Sequence, residues 1–290
     1  MAAETNVITT NEMSKVREVD FVRRFSGNIL PKLIEVLGVT RQIPMIEGST
    51  MYSYEVTGTL QSGVVAEGDI IPLSKYETTK TPVGEIVLKK WRKATTAEAI
   101  LKSGYDAAVI DTDGKLLRDV QKGIRTDLFT GLTGVTGSTK VTGANLQTVL
   151  SKAWGNLQNL FEDDAVEPVH FINPLTIADY LATANITTQN AFGFSYVEDF
   201  LGLGTVIMTS QIAVDKVFST AKENIVMYYV PVTAEAMSSL GATADDSGYV
   251  AIKSGYPTEN RAQVESLVMS GVQFFVEYAA GVVEGTIAGA

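Results

Sequence analysis

Residues 51–60, MYSYEVTGTL, alternate polar and apolar side chains and favour a strand, and residues 86–91, IVLKKW, read as the strand that returns. Between them runs QSGVVAEGDIIPLSKYETTKTPVGE, residues 61–85, punctuated by Gly63, Gly68, Pro72, Pro82 and Gly84. Ordinary hairpin turns need only about two to five residues, so an excursion of this length carries a function or lacks order. An isolated hairpin has no interior for Ile70, Ile71, Leu73 and Tyr76, which points these side chains at a neighbouring molecule.

Before this segment, Val16, Val19, Val22 and Phe25 recur every three residues within 12–26, the narrow stripe of a short amphipathic helix. A second short helix is expected over 29–37, with Pro31 near its start and Gly38 at its stop. After the segment, Leu116, Val120, Ile124 and Leu128 fall at four-residue steps and predict the chain's clearest helix, about 112–131. Asp111, Thr112 and Asp113 are its capping candidates. GLTGVTGSTKVTG, residues 131–143, reads as a flexible linker, and a further helix is expected over 145–161 on the face Leu146, Val149, Leu150, Ala153, Trp154, Leu157 and Phe161. The remainder mixes strands (PVHFIN, GTVIMTS, NIVMYYVPV, QVESLVMSGVQFFVEYAAGVV) with a helix opened by Pro174. The order is α+β, not a regular βαβ alternation.

At 290 residues and 45% hydrophobic content the chain can bury a sizeable core. A polar N-terminal stretch without an apolar run gives no secretory signal, and no 18-residue apolar stretch suggests a membrane span, so the chain reads as soluble and made in a cytoplasm. Charge is unevenly spread. Residues 1–125 hold 17 Lys and Arg against 16 Asp and Glu, whereas residues 126–290 hold 6 against 17. Lys75, Lys80, Lys89, Lys90, Arg92 and Lys93 form a local basic stretch, offset by Glu77 and Glu85. A basic arm and an acidic body on one chain suit attraction between copies as well as they suit ordinary solvated surface.

Chemistry is sparse. The absence of cysteine removes disulfides, thiolate nucleophiles and Cys-ligated metals. The single histidine, His170, sits in the apolar run PVHFIN and reads as a packed core residue, not a member of a triad or a multi-histidine metal site. DTDG at 111–114 resembles the middle of a calcium loop, but aligning its glycine puts Val109 and Val120 at the first and last ligand positions. GLTGVTGSTK lacks the Gly-Lys-Ser/Thr ending of a P-loop, and GLGTVI at 202–207 lacks the third glycine of a dinucleotide fingerprint. Glu162, Asp163, Asp164 and Glu167 could hold a hard cation but read first as a solvated loop, and Asn185-Ile186-Thr187 has the glycosylation form without a secretory signal. Neither a cofactor nor a resident metal is expected.

In their order, these features resemble the tailed-bacteriophage major capsid proteins of the Hong Kong 97 fold, over nearly the whole chain. VREVDFVRRFSGNILPKLIEVLGVTRQIPMIEGSTMYSYEVTGTL looks like that family's N-terminal arm and the start of its extended loop. VVAEGDIIPLSKYETTKTPVGEIVLKKW looks like the loop itself, with Glu67-Gly68 and Ile71-Pro72 in characteristic places. DLFTGLTG is similar to the end of the spine helix, and HFINPLTIADYLA to a strand, Asn-Pro and helix segment.

The resemblance implies an α+β Hong Kong 97-like fold: an N-arm (1–48), an extended β-hairpin loop (49–96), a peripheral domain with the long spine helix (97–140), an axial domain (141–254) and return strands of the peripheral domain (255–290). It implies pentamers and hexamers of one chain in an icosahedral shell around phage double-stranded DNA held without sequence-specific binding. A separate scaffolding protein, a portal and head-completion proteins would be partners, with assembly in the host bacterial cytoplasm and residence in the virion capsid. The inter-subunit contact candidates are Glu67, Ile70, Ile71, Leu73, Lys75 and Tyr76 in the loop. Lys80, Lys89, Lys90, Arg92 and Lys93 follow on its return. No catalytic residue is implied; Lys75, Lys80, Lys89 or Lys90 with Asn260 could form an isopeptide, although no motif for that chemistry is present. An encapsulin-like compartment is the nearest alternative, and a metal-dependent α+β enzyme a distant one.

Overall fold

The computed structural model describes residues 18, 30–39, 41–161, 166–183, 188–191, 194–246, 248–255 and 262–288. Helix α1 (Leu30–Leu37) ends in a Schellman cap: Gly38 at φ +66° turns left-handed, its N–H donates to Glu35 O, and Val39 N–H donates to Ile34 O. Leu33, Val36, Leu37 and Val39 are buried, so this short helix is held by its apolar face. The amphipathic helix expected over 12–26 lies outside the described residues except for Glu18. That carboxylate is buried and accepts from the Ser254 N–H and, at 2.7 Å, from the Thr243 hydroxyl.

Strand β1 (Arg41–Pro44) precedes a ribbon of β2 (Thr50–Thr59) and β3 (Lys75–Glu85), which pair antiparallel with each other alone. The returning strand is therefore 75–85, not 86–91; the IVLKKW run instead crosses from a buried anchor, Ile86, into a new strand, β4 (Lys89–Thr96). Its apolar residues drew attention because they belong to the body, whereas the true return strand, KYETTKTPVGE, is polar and almost wholly exposed.

Helix α2 (Ala97–Ser103) and a π-helical turn, Asp106–Ile110, lead into α3 (Asp111–Thr133), about 35 Å long at 1.5 Å per residue. Its buried stripe is Leu117, Val120, Ile124 and Leu128, with Phe129 and Leu132. The strict four-residue step from Leu116 drifts off a 3.6-residue helix, leaving Leu116 only partly buried. The capping expectation fails, because the π turn feeds straight into α3: Ile110 precedes it in helical conformation with no side-chain cap. Asp113 turns inward instead and meets Lys93.

The glycine-rich linker contains a strand, β5 (Thr139–Gly143), followed by α4 (Leu146–Leu160), whose Asn145 caps the Thr148 N–H at 2.8 Å. Trp154 lies at the edge of the buried face and is partly exposed. Then come β6 (Pro168–Ile172), α5 (Pro174–Thr183), β7 (Gln189–Ala191), β8 (Phe194–Val197), β9 (Thr205–Met208), β10 (Lys216–Ala221) and β11 (Ile225–Tyr229). The chain ends with β12 (Thr243–Ala244), β13 (Val250–Gly255), β14 (Gln263–Ser270), β15 (Gln273–Val276) and β16 (Val282–Ile287). Among the described residues no helix is long and apolar enough to cross a membrane. Asn185-Ile186-Thr187 and Asn260 lie outside the described residues.

The body holds a seven-stranded mixed sheet, β5-β16-β10-β6-β9-β8-β7, a four-stranded sheet, β12-β13-β14-β4, and a three-stranded sheet, β1-β11-β15. Sheet membership cuts across chain order. β16, at the end of the chain, pairs with β10 and β5, while β13 joins β14 and, through it, β4. The central strands β6 and β9 are buried on both faces. Val169, Phe171 and Ile207 pack in the core that α3 covers; Ile172, Val206 and Met208 pack toward α4 and α5. That is why PVHFIN and GTVIM read as continuous apolar runs.

His170 lies in this sheet, fully buried as expected: Nε2 donates to Leu203 O at 3.1 Å, and Nδ1 accepts from the Ser219 hydroxyl at 2.7 Å. Burial lowers its pKa from 6.5 to about 4, partly opposed by the Leu203 hydrogen bond. Between those values the unfolded chain binds the proton and the native one does not, so stability falls as pH drops from about 6.5 to 4, by about 3 kcal/mol. Urea unfolding should show the advantage of wild type over His170→Gln shrinking by about that much across this window; a pH-independent difference would contradict the neutral buried imidazole.

Candidate functional site

Main-chain pairing carries the β2–β3 ribbon outward in register from Thr50 opposite Glu85 to Thr59 opposite Lys75, with one irregularity at Met51/Tyr52. Its base is anchored. Ile86 is buried against Met51, Val226, Tyr228 and Val230, and its N–H and C=O bond Ser49 O and Gly48 N–H, both at 3.0 Å. The Ser53 hydroxyl donates to Glu277 O, and the Glu277 carboxylate pairs with Arg41, which raises the Arg41 pKa.

Along the ribbon the side chains stabilise one another locally. Lys80 Nζ lies 3.6 Å from the centroid of the Tyr52 ring, a cation–π contact. Tyr76 covers Gly58 on the opposite strand so closely that a Cβ there would come within 2.2 Å of its ring. Lys75 pairs with Glu77. At the neck Gln61 N–H donates to Ser74 Oγ at 3.0 Å, and at the tip Asp69 N–H closes a turn on Ala66 O, with Gly68 at φ +89°.

At and beyond the neck nothing among the described residues covers the apolar side chains. Val64 is 94% exposed, Ile70 93% and Leu73 92%, with Leu60 and Ile71 also well exposed. Each would gain about 1.5–3 kcal/mol on full burial, which makes this group of exposed apolar side chains the candidate contact surface. Glu67 stands exposed among them. The sequence marked Ile70, Ile71, Leu73 and Tyr76 as side chains without an interior, and the ribbon leaves all four exposed.

The basic stretch divides by strand alternation. On β4, Lys89, Trp91 and Lys93 turn toward α3, whereas Lys90 and Arg92 turn outward. Lys89 pairs with Asp127, Arg92 makes a two-pronged pair with Glu265, and Lys90 lies 4.0 Å from Glu47. Lys93 is mostly buried: its ammonium donates to Asp113 Oδ1 at 2.6 Å, to Val109 O at 2.9 Å and to Thr112 Oγ1. It thus pins the π turn and the start of α3 to the strand that continues from the ribbon, a role the spacing of lysines in the sequence gave no sign of. Of the acidic cluster, Glu162 to Asp164 lie outside the described residues, and Glu167 pairs with Lys222 at 2.8 Å, which lowers its pKa.

Replacing Lys93 by Met removes the cation beside a buried carboxylate and should cost about 3 kcal/mol in urea unfolding. Exchanging Asp113 for Leu as well should restore much of that loss; a single variant as stable as wild type would refute the pinning role.

No protein-family model matches the chain, and no curated protein does. Solved structures do. A chain of Gordonia phage Cozz is 14% identical with TM-score 0.57, covering 89% of this chain and 87% of that one. A chain of the capsid of a native GTA particle is 8% identical with TM-score 0.56, covering 89% and 90%. A chain of the holo-SrpI encapsulin complex from Synechococcus elongatus is 10% identical with TM-score 0.55, covering 90% and 89%. Set beside the sheets, the long helix and the projecting ribbon, these likenesses show that the chain has the α+β fold of the Hong Kong 97 class.

Proposed function

We propose that this chain is a major capsid protein of a tailed bacteriophage, a structural subunit whose identical copies assemble as pentamers and hexamers into an icosahedral shell around double-stranded DNA. The observation that carries the reading is the ribbon: an ordered two-stranded arm that ends in five large, uncovered apolar side chains, on a fold shared with a capsid and an encapsulin. A second copy would supply the missing cover, and repetition around a closed shell multiplies modest contacts.

In this reading Glu67, Ile70, Ile71, Leu73, Lys75, Tyr76 and Lys80 meet the neighbouring subunit directly. Lys90 and Arg92, on the outward face of β4, are secondary contacts. Lys89 and Lys93 act from inside, by holding α3. The division into an arm (1–48), extended loop (49–96), peripheral domain (97–140 with 255–290) and axial domain (141–254) belongs to the proposal. Strand pairing favours moving β13 to the peripheral part and β16 to the axial part. A scaffolding protein, a portal and head-completion proteins are the further partners, and the shell would form in the host bacterial cytoplasm.

A structural role without catalysis is supported by the enclosure of the lone histidine and by the shell proteins among the solved relatives. The likeness to an encapsulin favours one second reading, a compartment holding a protein cargo.

The triple variant Ile70→Ser, Ile71→Ser, Leu73→Ser tests the ribbon. Because all three side chains are exposed in the subunit, unfolding free energy should change by no more than about 0.5 kcal/mol per site, while closed shells disappear from electron micrographs. Normal shells from this variant would sink the assignment of the ribbon as an inter-subunit contact. Shells that copurify with one protein and no nucleic acid would favour the compartment.

A further inference from the structure

Lys115, Arg118, Lys122 and Arg125 follow one another at steps of three and four, so they share one face of α3, opposite the buried stripe from Leu117 to Leu128. Lys115 pairs with Asp119. Arg118, whose Nε donates to Gly114 O at 3.3 Å, Lys122 and Arg125 run along roughly 10 Å of helix. Their far end opens into a cleft of about 260 Å3 whose polar walls are Lys122, Arg125, Ser195, Thr209, Ser210 and Gln211, with no carboxylate among the described lining residues. Gln211 Nε2 donates to Thr126 Oγ1 at 3.2 Å and ties the far wall to the helix, and the first turn of α5 at Pro174 faces the same space. Partial burial lowers the Arg125 pKa from its ordinary value, as for a cation that has given up hydration.

We infer that this cationic face of α3 and the cleft at its end form the seat on which the phosphodiester backbone of the enclosed DNA rests against the shell wall. The partner follows from chemistry. A row of cations several ångströms apart suits a polymer with repeated negative charges, and hydroxyl and amide groups beside them suit phosphate oxygens. Residues 126–290 carry 17 acids against 6 bases, so most of the body repels a polyanion and the stripe marks where one can approach. The acidic tip of a neighbour's ribbon is the competing occupant, but its exposed Val64, Ile70 and Leu73 need an apolar receptor, and this cleft is walled mainly by charged and polar groups. The seat rests on the shell reading, which supplies the DNA.

The test takes the full-length chain, a labelled mixed-sequence duplex of about 20 base pairs and a synthetic peptide of residues 60–74, with binding read by fluorescence anisotropy over a salt series. Lys122→Gln, the pair Lys122→Gln/Arg125→Gln and the triple that adds Arg118→Gln form a graded set; Lys102→Gln/Lys253→Gln is the control. The slope of log K against log salt should fall by about 0.9 for each stripe cation removed, and the triple variant should lose about tenfold or more in affinity at low salt, with the control unchanged. Duplex binding that survives the triple variant, falls equally in the control, or is displaced by the peptide overturns the seat. Electron microscopy of the same preparations reads assembly separately. Shells without stripe-dependent binding sink the seat alone, whereas stripe-dependent binding from a chain that forms no shells, alone or with its scaffolding partner, sinks the shell reading and with it the enclosed DNA, leaving a face that binds duplex.

Discussion

A two-stranded ribbon has two faces and no interior. Its backbone groups can pair, and here they do for the length of β2 and β3, but its side chains can only lie along the surface or find another surface. In this chain the polar stretch finds local partners, as Lys80 does on Tyr52 and Lys75 does with Glu77, while the apolar tip finds none within the subunit. The body is constituted oppositely. Its central strands are buried on both faces, and even its histidine is hydrogen-bonded at both ring nitrogens. The molecule therefore divides into a body that buries most of its apolar side chains and a ribbon whose apolar tip stays exposed, the division that the proposed assembly would resolve.

Such a ribbon is useful only if its base transmits load. Three kinds of contact meet there. Ile86 supplies packing, Ser53 and Arg41 reach Glu277, and one strand further on Lys93 binds Asp113 at the start of α3. The last also holds the carbonyl of Val109 inside the π turn, where the backbone departs from regular α-helical bonding and has a group to offer. The strand that continues from the ribbon is thus tied to the long helix by side-chain contacts of β4. Exposed ion pairs on the outward face of β4, such as Lys90 with Glu47, lie in high dielectric and can exchange partners at little cost, whereas the Lys93 pair is partly dehydrated and fixed.

Much of this was legible because burial writes itself into apolar spacing. The stripe of α3, the existence and extent of α4 and the apolar strands β6 and β9 could all be read, as could the lone histidine's place in the core. Where burial was not the organising force, the sequence misled. The return strand of the ribbon is held by backbone pairing and stays wet, so its side chains carry no alternation to read, and attention fell on the buried residues that follow it. Asp113 looked like a cap because helix starts favour acids, but a preceding π turn already occupied that place and the carboxylate was free to face Lys93. β5 hid in a glycine-rich stretch because a short edge strand against β16 needs little apolar pattern. The pairings of β14 with β4 and of β16 with β10 and β5 join residues far apart in sequence and had no local signature at all.

The same distinction explains how one fold spans chains that share 8–14% of their residues over most of their length. A doubly buried strand requires apolar volume at each position but not a particular residue, and cores accept extensive substitution when volume and pattern persist. A ribbon requires still less: backbone pairing, a turn at the tip and a base that fits the body. What must be matched closely is the surface that receives the ribbon, because an apolar tip discriminates by shape and by the charges left unpaired around it. In the proposed shell tip and receptor are carried on the same chain, so a change in one can be met by a change in the other within one gene product, and the pair can drift together while the scaffold holds its geometry.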